Sequence, residues 1–155
     1  MQIKKQRGFR FLTAISLLLL LFLLAGQTVS LIDYDFTVSM GLQESVEEVT
    51  LLGIAWLKAF ALADTVAYIP LLLAGIIGLW DGKKWGFYAM FASLAISVYW
   101  PIVNLAAIYL AGEEIALQAD KYVSFSIILP LVSFYGLWGM WYLYNHRNGV
   151  NGNRS

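Results

Sequence analysis

The chain has 155 residues, of which 60% are hydrophobic and 13% charged, against about 45–50% and 25% in soluble domains. That balance excludes an ordinary soluble globule and a disordered tail. Ten Lys and Arg cancel ten Asp and Glu, so the basic patch that nucleic-acid binding needs is not expected. There is no Cys and one His, His146, which excludes disulfides, thiol catalysis, iron–sulfur clusters and His-based metal sites. No cofactor and no metal are expected.

A membrane-crossing helix needs about 20 mostly apolar residues, and four stretches qualify. The first runs from Phe11 to Ile32 behind Lys4, Lys5, Arg7 and Arg10. A basic start followed by an apolar run also describes a signal peptide, with Thr28-Val29-Ser30 as a small-residue cleavage site. The apolar character continues through Val29, Leu31 and Ile32, and an uncleaved anchor is the preferred reading.

The stretch Asp33 to Thr50 is the longest connection. Ser45 and Glu48 form a Ser-x-x-Glu capping box, which predicts a helix starting at Val46. Carried unbroken to Trp80, it would be about 52 Å long at 1.5 Å per residue, longer than a bilayer of about 40–45 Å with its headgroups. The helix is therefore expected to protrude, to tilt or to break near Gly53, with an interfacial piece over 46–60 and Lys58 reaching the outer headgroups. The acids of this region read as solvated loop carboxylates.

The second span, Ala61 to Trp80, carries Asp64, Tyr68, Leu71, Gly75 and Gly78 on one stripe at 100° per residue. A turn over Asp81 to Lys84 leads into the third span, Trp85 to Ala111. There Gly86, Ser93, Ser97, Trp100 and Asn104 share one side, and Phe87, Phe91, Leu94, Val98 and Ile102 the other. The short turn makes the two spans an antiparallel pair. The small and polar stripes are expected to meet, since small residues let backbones approach and polar ones bond across helices. Gly75, Gly78, Gly86, Ser93 and Ser97 are the packing residues of this reading, and the Phe87 side faces lipid. A loop over Gly112 to Lys121 precedes the fourth span, Tyr122 to Tyr144.

The charges sort by side. Lys4, Lys5, Arg7, Arg10, Lys83, Lys84, Arg147 and Arg154 lie on one side with a single acid, Asp81. Asp33, Asp35, Glu44, Glu47, Glu48, Glu113, Glu114 and Asp120 lie on the other with a single base, Lys121. Positive loops stay inside, so both termini are expected in the cytoplasm and the protein in the cell (inner) membrane. Trp80, Trp85, Tyr88, Trp138, Trp141, Tyr142 and Tyr144 form an aromatic belt at the basic end. The expected fold is all-α: one domain over 1–155, an up-down antiparallel bundle of four transmembrane helices.

Asp64 is the residue that invites a functional reading, because ionisable groups inside membranes are rare and often functional. Asp64, Tyr68, Trp100 and Asn104 form the candidate binding site, with a structural bond from Asp64 to Asn104, Tyr68 or a serine as its competitor. No Ser–His arrangement, phosphate loop or second carboxylate accompanies it, so no enzyme is expected. The preferred function is a non-enzymatic subunit, accessory or scaffold in the lipid bilayer. Its expected partner is a second copy or a larger membrane protein, with no nucleic acid. The alternative is a carrier or channel for a small solute or a proton, working as an oligomer around Asp64. A third reading, a membrane enzyme or quinone-type redox accessory, is disfavoured by the missing Cys and the lone His in the tail.

Overall fold

A computed structural model describes residues 6–112, 115–117 and 119–146. Arg147, Arg154, Lys4, Lys5, Glu113 and Glu114, used in the charge count, lie outside the described residues. Every regular element among the described residues is helical. Four are long and apolar enough to cross a membrane: α1 (Arg7–Ile32), α3 (Val46–Trp80), α4 (Lys84–Ala111) and α5 (Ala119–Asn145). The fifth, α2 (Tyr34–Ser39), is short. Its start is capped by Asp33, whose Oδ1 accepts the Phe36 N–H at 2.9 Å.

The helix α3 begins where the capping box sets it, with Ser45 as the cap and the Glu48 carboxylate accepting the Ser45 N–H at 2.9 Å. Its break falls near Gly53, three residues ahead of it. Its backbone departs from helical geometry at Thr50, at φ 63° and ψ 170°. This conformation is close to glycine-only territory, and a β-branched side chain hides it from a reading that looks for glycine.

Two of the long helices carry a π-helical turn, Leu24–Thr28 in α1 and Asp64–Tyr68 in α3. The second has a local cause. Pro70 has no N–H, and its ring would press on the carbonyl four residues back. A wider turn just ahead of it relieves that contact. The two π turns lie against each other, with Thr28 Oγ1 and Thr65 Oγ1 3.0 Å apart.

In space α1 packs beside α3, α3 beside α4, and α4 beside α5. The turn between α3 and α4 is closed by Gly82 at φ +68°. The Lys83 N–H donates to the Gly78 carbonyl and the Gly82 N–H to that of Leu79, a Schellman closure that needs a left-handed residue at Gly82. This turn marks the basic end of the bundle, where Arg7, Arg10, Lys83 and Lys84 gather. The connection over 33–45 marks the acidic end.

The basic half is solid. Phe9, Leu12, Leu72, Leu79, Met90, Leu94 and Leu143 are at most 1% exposed. A Cβ at Gly75 would stand 2.7 Å from the Met90 Cα, and Gly78 and Gly86 touch backbone to backbone. Ser93 and Ser97 are buried on the same side of α4. Leu94 is not on a lipid-facing side, as its stripe suggested; it is fully buried. The reason is that α4 has neighbours on two sides. Met90 and Ser93 turn towards α3, while Leu94 meets Gly136 and Gly139 of α5. The buried arc is wider than a single stripe.

The ring closes between α5 and α1 in the basic half. The Tyr135 hydroxyl lies 2.6 Å from Ser16 Oγ and donates to the Leu12 carbonyl at 3.1 Å. Phe11 meets Trp138 edge to face, and the Tyr142 hydroxyl donates to Gln6 Oε1 at 2.9 Å. Of the aromatic belt, Trp80, Trp85, Tyr88, Trp141 and Tyr144 are exposed. Tyr142 is instead buried and stacks on Trp138.

Candidate functional site

The π turn Asp64–Tyr68 and the adjoining face of α4 place the four candidate residues near the middle and acidic half of the bundle. Asp64 is 5% exposed, and its Oδ2 has no hydrogen-bond partner among the described residues. Tyr68 Oη lies 2.6 Å from Ser97 Oγ. Ser97 donates its own proton to the Ser93 carbonyl at 3.0 Å, so the phenol is the donor. Asn104 Nδ2 donates to the Trp100 carbonyl at 2.9 Å. The indole N–H of Trp100 is buried without a partner among the described residues. The expected bond from Asp64 to Asn104, Tyr68 or a serine is therefore absent. Tyr68 and Asn104 have other partners, and the π turn that begins at Asp64 lies against that of α1.

Between α1 and α5 the helices part towards the acidic end, and two adjoining cavities open. A lateral groove of about 760 Å³ runs along α1 and α5 and includes Tyr68, Ser97 and Trp100 in its wall. A chamber of about 470 Å³ lies beyond it towards the acidic end and includes Gln27, Glu44, Trp100 and Asn104. Phe22, Trp100, Phe125 and Leu129 belong to both. Both volumes lie in the range of about 300–1,000 Å³ usual for small-molecule sites. The candidate residues thus divide. Tyr68 belongs to the groove, Asn104 to the chamber and Trp100 to both, while Asp64 lines neither.

The chamber is roofed by the segment 42–49, which is not the set of solvated loop acids that its composition suggested. Glu44 and Glu48 are buried. Glu48 pairs with Lys121 Nζ at 2.7 Å, and the same ammonium donates to the Gln43 carbonyl at 3.3 Å. The Glu48 carbonyl accepts the Ala116 N–H at 2.9 Å. Gln43 Nε2 donates to the Gly26 carbonyl in the π turn of α1 at 2.9 Å. Tyr34 donates its hydroxyl to the Glu44 carbonyl at 2.9 Å. Burial raises the Glu44 carboxyl above its ordinary 4.5, against the pull of Lys121. Burial, with Glu44 and Glu48 adding to it, pushes the Tyr34 phenol up to about 12. Lys58 is exposed and stands 4.9 Å above the Tyr34 ring.

Sequence reasoning missed Gln27, Gln43 and Glu44. Gln27 had a readable signal, since it is an amide inside the apolar run Phe11 to Ile32. Gln43 and Glu44 had none, because their burial depends on the fold of the whole connection. Among the described residues no three carboxylate or imidazole groups come together as metal ligands would. No family model, curated protein sequence or solved structure matches this chain.

Proposed function

We infer that the chain is a multi-pass membrane protein without catalytic activity, acting as a subunit, accessory or scaffold, with both termini in the cytoplasm. One observation carries this reading: the basic half of the bundle is packed shut, and the polar groups of the other half do not converge. Gly78 against Gly86 and Gly75 against Met90 bring α3 and α4 into backbone contact and leave no path between those two helices. Asp64, Tyr68 and Asn104 stand apart. General acid–base work needs its groups within reach of one reacting atom. The exposed surface supports the membrane setting, since Leu18, Leu21, Val66, Leu131 and Phe134 all point outwards. Isolation from native membranes in mild detergent tests it. A stable second component is expected, either another protein or a second copy. A lone monomer that moves solute or protons in liposomes would overturn the reading.

A second reading, a proton or cation site at Asp64, is favoured by the unpartnered Oδ2 where two π turns meet. π turns often mark functional places. On this reading Asp64→Asn abolishes complementation of a deletion strain at full expression. On the first reading it does not.

A further inference from the structure

The groove and the chamber adjoin at Phe22, Trp100, Phe125 and Leu129 and differ in chemistry. The groove is apolar along α1 and α5, from Phe11 to Leu23 on one side and Phe125 to Trp138 on the other. The fourteen residues of α5 from Phe125 to Trp138 correspond to about 20 Å of helix, a large part of a hydrocarbon core of about 30 Å. The groove opens sideways, between helices whose outward faces are apolar, so a lipid tail can enter it without crossing water.

The chamber at its acidic end is different. Its walls include the flat rings of Trp56, Phe60, Trp100 and Phe125. Gln27 projects from the π turn of α1 into this wall. It is 8% exposed, and its side chain lines the chamber, where a bound group carrying an acceptor could take its N–H. The buried Trp100 indole N–H in the same wall has no partner among the described residues, which is unfavourable until such a group fills the space. The Gln43 amide, by contrast, is committed to the Gly26 carbonyl.

The charges select against an anionic head. Glu44 stands in the chamber wall. Lys121 is occupied by Glu48 and the Gln43 carbonyl, and Lys58 lies outside over Tyr34.

We propose that this space binds one uncharged lipid with a single prenyl or alkyl tail and a carbonyl-bearing ring head, the chemistry of a prenylquinone. The tail lies in the groove between α1 and α5. The head stacks among the chamber rings and accepts from the Gln27 amide. The proposal concerns binding alone and holds whether the protein is an accessory or a carrier.

The test is equilibrium dialysis of the full chain in a non-ionic detergent against a benzoquinone with a decyl tail. Dioleoylphosphatidylglycerol serves as an anionic competitor. One quinone per chain is expected, with no displacement by the phospholipid. Gln27→Leu should weaken binding about five-fold or more, the effect of one hydrogen bond. Ile128→Trp, a substitution at an exposed position of the groove wall, should fill the tail site and weaken binding as well. Tyr88→Phe, at the exposed surface of the basic end, should change nothing. If Gln27→Leu does not fold, Ile128→Trp carries the test alone. Failure of the wild type to bind, wild-type affinity in folded Gln27→Leu or Ile128→Trp, or displacement by the anionic phospholipid would each overturn the proposal. None of these failures touches the accessory reading, which rests on co-purification.

Discussion

Asp64 is a carboxylate in a place where neither water nor a donor reaches one of its oxygens. An uncompensated charge there is unfavourable, and an amide of the same shape is not. Asp64→Asn is therefore expected to melt in detergent at the same temperature as the wild type or higher. A lower melting temperature would mean that the carboxylate has a structural partner. Glu44 makes a prediction of the opposite character, read through pH. Its pKa is raised by burial above the ordinary 4.5, so the folded state holds the proton more tightly than the unfolded chain. Stability should fall as pH rises from about 4.5 through the raised value, and Glu44→Gln should flatten that slope. Thermal melts across this range check both sign and window, with Lys121, Glu48 and Tyr34 as the groups that face the site. Of these residues, Asp64 was legible in the sequence because a charge inside an apolar run is conspicuous. Glu44 was not, since a carboxylate in a polar connection looks the same whether the connection lies in water or folds back as a lid.

At the scale of the helix, the close contacts decide. A Cβ on Gly86 would meet the Gly78 backbone, which cannot rotate away as a side chain can. Gly86→Ala should force α3 and α4 apart at their turn and destabilise by about 1–3 kcal/mol. Gly75→Leu should destabilise far more than Phe91→Leu, because Gly75 faces the Met90 backbone and Phe91 lies at the edge. Equal melting temperatures for those two would mean that the helix phases are wrong. Thr50 offers the reverse test. Its φ of 63° and ψ of 170° suit glycine, and Thr50→Gly should stabilise by about 1 kcal/mol. The helices themselves were legible from length and apolarity. Their phase was only partly so. Counting at 100° per residue places Gly75 and Ser93 on packed faces, but it assumes one neighbour per helix and one continuous geometry. Leu94 breaks the first assumption, and the π turn at Asp64–Tyr68 breaks the second by adding a residue to the turn.

At the scale of the molecule, charge sorting remains the strongest argument for orientation. A reporter fused after Ser155 should be active only in the cytoplasm, and export of that reporter would reverse the assignment. The number of long helices was readable from the chain because apolar runs separated by charged turns are a one-dimensional signal. The parting of α1 from α5 was not, because a gap between two helices depends on the tilt of both.

The long helices are unequal. α3 has 35 residues and the other three have 26 to 28, so α3 is about 10 Å or more longer at 1.5 Å per residue. A single rigid rod of that length would match only a thick bilayer or would have to lean steeply. The bend at Thr50 divides it, so the first few residues can lie along the surface while the remainder stands upright. The residues ahead of the bend form a collar at the acidic end. In a thin membrane that collar would lie flatter, and in a thick one it would rise. Because the same collar carries Glu48 and its link to Lys121, the lid over the chamber would follow membrane thickness. Lipid composition would then act on this protein mechanically, through the height at which its collar rides.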